Sequence, residues 1–416
     1  MYKIAIDHMP LTADPLNAND FCSYYIFSLI MFPLFKYNNN GILENYACKS
    51  VILKNKTYYI ELKDNVKFYN GQRATIEDYY NVFTRIVESS TFPKYLLENV
   101  KKIKRNNNEL IITLKRKDIY FLHKLSYYAF SPIYDKLTCG PYFVDIIEQQ
   151  SITLKRNPQF TFFAKKNINC LKFEKFSNKE DIKSFLHNEI NMTNITTFPL
   201  EKVQKLKPKI QESNLMFVLK FNPNLLTRKY KALRQFIAKV IDKNKINKEL
   251  NNMFTIKNNF CLYNNINLEL DTKQKKAIKI IELKNIKLGY TNFYPNKIIA
   301  NVIKKELTKN NIKVKLSKYN LCEINNCDLY IDIIFSPFFY DEYFYLSKYF
   351  RIINGRKYNK LCNAYEKNKN EKVYKKIVNI CNDKANIIPL LKNKYIFLCS
   401  DELKNVDQNR VNYYEI

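Results

Sequence analysis

The stretch VKFYNGQRATIEDYYNVFTRI, residues 66–86, has the pattern of a strand, a tight turn and a capped helix. Its first residues alternate between apolar and polar, as in a half-buried strand. Asn70-Gly71 predicts a tight turn, because glycine tolerates a positive φ. Thr75 followed three residues later by Asp78 predicts a capping box, and apolar residues then recur at helical spacing. Local pattern alone assigns this stretch a structural role.

The same stretch resembles the most recognisable segment of the bacterial extracellular solute-binding proteins of family 5. These are the oligopeptide, dipeptide and nickel receptors of ABC importers. The family pattern is approximately vkFhdGtpltAeDVvysfeRi. The matching positions in this chain are Val66, Lys67, Phe68, Gly71, Thr75, Glu77, Asp78, Phe83, Arg85 and Ile86.

Further segments resemble the same family, in the same order, along nearly the whole chain. Gly140-Pro141-Tyr142 resembles the family's GPY, and Arg156-Asn157-Pro158 follows at the family's distance and resembles its RNP. Residues 233–246, LRQFIAKVIDKNKI, resemble vRqAlsyAiDrekI and have the spacing of one amphipathic helix. Residues 385–391 resemble the segment aPiipLy near the family's C-terminus.

The resemblance implies an α/β protein with the two-lobed periplasmic-binding-protein fold, of type II and cluster C-like. A small α+β domain is expected to be inserted in lobe I. The implied segments are 1–42 for the first part of lobe I, 43–158 for the inserted domain II, 159–220 for the second part of lobe I, 221–384 for lobe III and 385–416 for the return to lobe I. A chain of 416 residues is long enough for two or three such lobes.

The chain is strongly basic, with 69 Lys and Arg against 39 Asp and Glu and a formal net charge of +30. Such a charge is compatible with nucleic acid or an anionic surface as a partner. The lysines are spread along the whole length, however, without the dense block of a basic tail. Lys, Asn, Ile, Tyr and Phe, which this chain prefers, have A/T-rich codons, so genome composition accounts for the excess. We therefore predict no nucleic-acid partner.

The cysteines and histidines do not have the spacing of a metal site. The 10 cysteines include no CxxC pair, and Cys322 and Cys327, the closest two, have no histidine nearby. His8, His123 and His187 are scattered along the chain. We predict no metal site and no cofactor, with the thiols buried, which slightly favours a reducing compartment. The sequence also lacks a Ser-His-Asp or Cys-His arrangement, a phosphate-binding glycine loop and HExxH, so we predict that the protein is not an enzyme.

The resemblance places two candidate walls of a ligand cleft, because family members close lobes I and III around their ligand. The first wall falls on Met31, Phe32 and Pro33. The second wall falls on Phe335, Ser336, Pro337, Phe338 and Asp341.

Both walls depart from the family pattern. The acidic position of the first wall is Phe32, and the aspartate that pairs with a peptide's α-ammonium falls on Phe338. A buried ammonium without a charged partner costs several kcal/mol. The cleft is therefore expected to suit a less charged or an aromatic ligand. Drift of these positions, or an alignment shifted by one or two residues, is the alternative.

The resemblance implies the substrate-binding component of an ABC-type importer of peptides or related solutes. The expected protein is a monomer whose partners are a peptide or small solute and an ABC permease in the membrane. Two alternatives remain open: a cytoplasmic ligand-sensing or interaction module of the same fold, and a drifted relic without a ligand.

Family members are periplasmic or attached to the cell envelope, yet no signal peptide is visible, because the apolar run Ile4-Ala5-Ile6 after Lys3 is too short for a signal core. A leader missing from the sequence, a start codon placed too late and a cytoplasmic protein are all compatible with this.

Overall fold

The computed structural model of the chain describes residues 1–18, 20–38, 42–134, 136–162, 168–176, 180–194, 204–258, 285–319, 326–335 and 343–403. The chain divides into two compact units. Unit 1 comprises Met1–Thr196, Leu206–Lys209 and Phe397–Ile416, and unit 2 comprises Thr197–Lys205 and Ile210–Ile396. The five-segment division expected from the family resemblance, including the inserted domain, stays a prediction.

Unit 1 combines two four-stranded sheets and two short strand pairs with helices. In chain order, its described strands are β1 (Tyr2–Ile6), β2 (Phe35–Tyr37), β3 (Leu43–Asn45), β4 (Cys48–Lys54), β5 (Thr57–Leu62), β6 (Val100–Arg105), β7 (Glu109–Leu114), β8 (Ile133–Tyr134), β9 (Leu137–Thr138), β10 (Tyr142–Ile147), β11 (Ser151–Arg156) and β12 (Cys170–Lys175). Its described helices are α1 (Phe21–Ile30), α2 (Ile76–Glu88), α3 (Phe92–Leu96), α4 (Phe121–Lys124) and α5 (Glu180–Leu186).

The two sheets of unit 1 differ in strand direction. The first has the order β1-β12-β11-β10, in which β1 and β12 are parallel and the other neighbours antiparallel. The second, β4-β5-β7-β6, is entirely antiparallel. Buried and less buried residues alternate along β5 and β7, so one face of this sheet is apolar. Helix α2 packs against β6 and β7 and buries Tyr79 and Phe83 completely.

The turn and the capped helix predicted for residues 66–86 are confirmed, whereas the strand predicted at the start of this stretch is reduced to one isolated bridge. Lys67 and Arg73 form an antiparallel bridge around the turn, and Gly71 has a φ of +92°. Thr75 is the N-cap of α2 and forms a complete capping box. Its backbone N–H donates to Asp78 Oδ2 at 2.7 Å, and the Asp78 N–H donates to Thr75 Oγ1 at 3.4 Å.

Unit 2 is organised around one mixed six-stranded sheet of order β14-β18-β13-β17-β15-β16. In chain order, its strands are β13 (Lys209–Phe221), β14 (Thr255–Ile256), β15 (Asn285–Tyr290), β16 (Lys313–Lys318), β17 (Leu329–Phe335) and β18 (Ile387–Phe397). The described helices are α6 (Lys231–Val240), α7 (Lys243–Glu249), α8 (Asn296–Lys309), α9 (Tyr343–Asn368) and α10 (Glu371–Lys384). Parallel strands β15 and β16 are connected through α8, which packs on both.

The boundary between the units falls twice within strands of this sheet. One division lies between Lys209 and Ile210, at the start of β13, and the other between Ile396 and Phe397, at the end of β18. The two strands are hydrogen-bonded neighbours, and Ser213 Oγ donates to Asn393 O at 3.1 Å. Two of the four passages of the chain between the units therefore lie in adjacent strands.

The single helix predicted over residues 233–246 is wrong, because the structure has two helices there. Helix α6 ends at Val240, and the backbone becomes extended at its C-cap, Ile241. Asp242 then starts α7 as its N-cap, accepting hydrogen bonds from the N–H groups of Asn244 and Lys245 at 3.0 and 3.1 Å. An aspartate that caps a new helix competes with continuation of the previous one, and periodicity alone does not reveal this.

Helix α9 is interrupted by a chain reversal at Gly355. This residue has a φ of +79° and a ψ of −172°, a combination accessible essentially only to glycine. The two halves of α9 contact one another, since Tyr358 Oη donates to Leu346 O at 2.9 Å and Tyr343 Oη to Cys362 O at 3.1 Å. The element is therefore a hairpin of two helices.

Replacing Gly355 with alanine is expected to destabilise unit 2 by about 1–3 kcal/mol. Among the described residues, a Cβ atom at this position meets no atom of another segment within 4 Å, so the expected loss comes from backbone strain. Urea unfolding followed by circular dichroism measures it. The exposed neighbour Arg356, replaced with alanine, serves as the control and should change stability by less than about 0.5 kcal/mol. Equal stability of the two variants would contradict the glycine-dependent reversal.

Candidate ligand-binding site

The first candidate wall, Met31–Pro33, follows directly after the C-terminus of α1. The Met31 N–H donates to Phe27 O at 2.9 Å, and the backbone then becomes extended. All three side chains are buried, with Met31 and Phe32 each 1% exposed. The C-terminus of α1 is thus buried inside unit 1, and the residues that contact it fix the position of the wall.

Gly140 approaches this helix end more closely than any other residue type could. Its N–H donates to Ile30 O at 3.0 Å, and a Cβ at Gly140 would lie 2.2 Å from the carbonyl carbon of Ile30. Asn157 holds Gly140 in turn, because its Nδ2 donates to Gly140 O at 2.9 Å. The GPY and RNP segments of the sequence therefore act together to position the end of α1.

Two side chains satisfy both backbone polar groups of Phe32. Tyr79 of α2 donates its hydroxyl to Phe32 O at 2.7 Å, and the Phe32 N–H donates to Ser131 Oγ at 2.6 Å. Buried backbone groups need such partners, since an unpaired one costs about 1–3 kcal/mol. The stretch that opens the family resemblance thus reaches the same wall residue through Tyr79.

The Phe32 side chain belongs to an aromatic cluster. Its ring centroid lies 4.2 Å from that of Tyr46 in an edge-on geometry, 5.1 Å from Phe160 and 5.3 Å from Phe162. Lys63 Nζ lies 4.7 Å from the centroid of Phe162, and burial lowers the pKa of this lysine. A carboxylate in place of the Phe32 ring would be desolvated among these aromatic groups. Contact between Phe32 and a ligand stays a prediction.

Of the second candidate wall, Phe335 alone lies among the residues that the structure describes. Phe335 is the last residue of β17 and pairs with Leu215 of β13. Ser336, Pro337, Phe338 and Asp341 lie outside the described residues, and α9 begins at Tyr343. Their assignment to a cleft stays a prediction.

A charged cluster formed by residues of β13, β17 and α9 carried no signal in the sequence. Lys220 of β13 forms an ion pair with Asp332 of β17, and both Lys220 and Lys348 place their Nζ atoms over the Tyr349 ring, at 5.3 and 5.0 Å from its centroid. Burial, and next the charge of Lys220, lower the pKa of Lys348 to about 7. Lys220 lies 112 positions before Asp332 in sequence, so only the pairing of β13 with β17 brings these two residues together.

Comparison with known proteins identifies one family. The family model described as bacterial extracellular solute-binding proteins, family 5 middle, matches residues 49–351. In a search of curated protein sequences, nothing matches this chain.

Solved structures match over the entire chain. OppA of Haemophilus influenzae, in complex with RPPGFSPFR, has a TM-score of 0.83 at 16% identity, covering 100% of this chain and 98% of that chain. NikA of Staphylococcus aureus, in complex with Ni(L-His)2, has a TM-score of 0.80 at 17% identity with the same coverage. AppA of Bacillus subtilis, in complex with a nonapeptide, has a TM-score of 0.82 at 14% identity, again covering 100% and 98%. The mixed α/β fold predicted from the sequence, that of two-lobed periplasmic binding proteins, is confirmed.

Proposed function

Because this chain belongs to family 5 of the bacterial extracellular solute-binding proteins, we propose that it is the substrate-binding component of an ABC-type importer of peptides or related solutes. The family consists of binding receptors, which agrees with the prediction that the protein is not an enzyme. The observation that carries the proposal is the family match over residues 49–351, which includes residues of both units.

The course of the chain between the two units supports a hinged receptor. Two of the four passages lie in neighbouring strands, at the start of β13 and at the end of β18. A few residues at the ends of elements are enough to absorb the backbone rotation of a closing lobe. We propose that the lobes close on the ligand, with Met31–Pro33 on one wall and Phe335, Ser336, Pro337, Phe338 and Asp341 on the other.

The chemistry around Phe32 supports a ligand that carries no free ammonium at this wall. The cluster formed by Phe32, Tyr46, Phe160 and Phe162 offers aromatic rings, and the ammonium groups of Lys36 and Lys63 lie over the rings of Tyr46 and Phe162. The ammonium groups of these two lysines carry the same charge as the α-ammonium of a peptide and repel it. We therefore propose a peptide with a blocked N-terminus, or an aromatic or uncharged solute, as the ligand.

The proposed partner is an ABC permease in the cell envelope, met by the protein as a monomer. Within the described residues, no helix has both the length and the apolar character required to cross a membrane. The family description places its members outside the cytoplasm, and we propose the same location for this chain.

Thermal unfolding in the presence of peptides tests the ligand class. A ligand that binds only the folded protein stabilises it by about 2.7 kcal/mol at one hundred times its Kd. We expect an N-acetylated peptide pool to raise the unfolding temperature, and the same pool with free N-termini to raise it less. The two pools have the same peptide lengths and sequences, so each is the matched control for the other.

A larger shift with free N-termini would contradict the ligand class and leave the receptor function standing. If neither pool and no aromatic or uncharged solute raised the unfolding temperature, a sensing module or a drifted protein without a ligand would be favoured over a transport receptor.

A further inference from the structure

Asp7, His8 and Cys22 bring three potential metal-ligand atoms together in unit 1, where β1 ends and α1 begins. Asp7 Oδ1 lies 2.6 Å from His8 Nδ1 and 3.2 Å from Cys22 Sγ, and Sγ lies 3.7 Å from Nδ1. Among the residues that the structure describes, these three form the group of His, Cys and acidic side chains close enough to share one ion. The cluster is independent of the proposed receptor function.

A fourth residue, Asp20, orients the imidazole of His8. Its Oδ1 lies 3.0 Å from His8 Nε2, so the ring is held at both nitrogens. Asp20 is itself fixed as the N-cap of α1, where Oδ1 accepts the Ser23 N–H at 2.8 Å. Histidines that bind metals usually donate their second N–H to a carboxylate in this way. The second interaction distinguishes this cluster from a chance meeting of polar groups.

We propose that Asp7, His8 and Cys22 bind one divalent transition ion of the zinc class, with Asp20 as the residue that positions His8. Sulfur, imidazole nitrogen and carboxylate oxygen are the three donor types of tetrahedral zinc sites. Bonds of about 2.0–2.3 Å in a tetrahedron put such donor atoms roughly 3.3–3.6 Å apart. Two of the three edges are already near that length, and only the edge between Asp7 and His8 has to open.

Charge and access also suit a cation. The Asp7 carboxylate lies at the position itself, and the Asp20 carboxylate lies on the far side of the His8 ring, in a chain whose formal net charge is +30. Cys22 is buried, whereas the side chain of His8 is 26% exposed, so an ion can enter from the His8 side. A water molecule can complete the tetrahedron, as in zinc sites with three protein ligands.

Protons leave when the ion binds. Both His8 nitrogens lie within hydrogen-bond distance of carboxylates, and the Cys22 thiol donates to Asp7. The ion replaces the proton on His8 Nδ1 and the proton on Cys22 Sγ, and both go to solvent, whereas Nε2 keeps its proton toward Asp20. Binding therefore strengthens as the pH rises.

Cys22, His8 and Asp20 also lie one after another like the nucleophile, the general base and the orienting acid of a catalytic triad. A nucleophile has to reach a substrate, and Cys22 is only 2% exposed. Its thiol is also directed to Asp7 rather than to the base. The geometry therefore favours metal binding over covalent catalysis.

Cobalt titration of the full chain, stripped of metal with EDTA and desalted, tests the site. One equivalent of Co2+ is expected to produce tetrahedral ligand-field bands and a thiolate-to-metal charge-transfer band in the near ultraviolet. One equivalent of Zn2+ should abolish both. Absence of the charge-transfer band in the unaltered protein would overturn the proposal.

Substitutions identify the ligands. Cys22→Ser should remove the charge-transfer band and weaken Zn2+ binding at least 100-fold. Cys48→Ser is the matched control, since Cys48 is an equally buried thiol of unit 1 that donates to Ser50 O at 3.2 Å, and it should retain both. An unchanged band in Cys22→Ser would assign the ion to another thiol and overturn the site.

Two further variants separate metal binding from folding. Asp20→Asn keeps an N-cap residue and is expected to keep the charge-transfer band, while Zn2+ affinity falls about 10–100-fold. His8→Gln, at a partly exposed position, should lower the affinity at least 100-fold with an unchanged circular dichroism spectrum. Unaltered Zn2+ affinity in His8→Gln would contradict the proposal even if Cys22→Ser fails to fold.

Discussion

Replacing Gly140 with alanine is expected to destabilise unit 1 by more than about 4 kcal/mol. The new Cβ would lie 2.2 Å from Ile30 C, 2.4 Å from Ile30 O and 2.6 Å from Met31 N. All three are backbone atoms, so no side-chain rotation relieves the overlap, and α1 or the loop before β10 has to move. The hydrogen bond from Gly140 N–H to Ile30 O would be lost with that movement.

The yield of soluble protein and the urea midpoint measured by circular dichroism report this loss. Gly71→Ala is the matched control, because the chemical change is the same and only side-chain atoms of Gln159 lie nearby, at 3.9 Å. Gly71 has a positive φ, so its replacement should cost only about 1–2 kcal/mol of backbone strain. If Gly140→Ala proved as stable as Gly71→Ala, the close approach to α1 would be wrong.

Replacing Arg351 with methionine is expected to destabilise unit 2 by about 3–5 kcal/mol. Arg351 lies in the first half of the α9 hairpin and donates to Glu366 Oε1 in the second half at 2.7 Å. The side chains of Arg351 and Glu366 are only 13% and 2% exposed. Methionine keeps the apolar stem but leaves the buried carboxylate without its guanidinium, and breaking a buried pair on one side is more costly than removing both charges.

Urea unfolding of single and double variants checks this reasoning. Arg351→Met combined with Glu366→Gln should recover at least half of the loss, because the uncompensated charge is gone. Lys375→Met is the control, since Lys375 and Glu371 form an ion pair at a similar distance, 2.8 Å, on the exposed surface of α10. That pair is worth about 0.3–0.5 kcal/mol. Equal losses of stability for Arg351→Met and Lys375→Met would show that the buried Arg351–Glu366 ion pair does not hold the two halves of α9 together.

Much of unit 1 could be predicted because its signals are local. The Asn70-Gly71 turn and the Thr75–Asp78 capping box depend on residues within four positions of one another, and the structure contains both. The Gly140 and Asn157 motifs could be recognised, yet their physical purpose could not. It depends on Ile30, which lies 110 positions before Gly140 in sequence.

In the candidate site, too, some features could be predicted from the sequence and others required the fold. Phe32 could be placed by resemblance, but its packing against Phe160 and its hydrogen bonds to Tyr79 and Ser131 required the fold. Spacing predicted no metal site, because His8 and Cys22 are 14 positions apart and fit no metal motif. The turn between β1 and α1 brings them within reach of Asp7.

The sequence by itself determined the family, the α/β class and the start of α2, because these depend on residue types at short, fixed spacings. Only the tertiary structure decided that three separate motifs meet at Ile30–Pro33, that α9 reverses at Gly355, and that Asp7, His8 and Cys22 share one place. Those outcomes depend on which distant segments pack together. Burial of apolar surface over the whole unit sets that packing, and no local pattern encodes it.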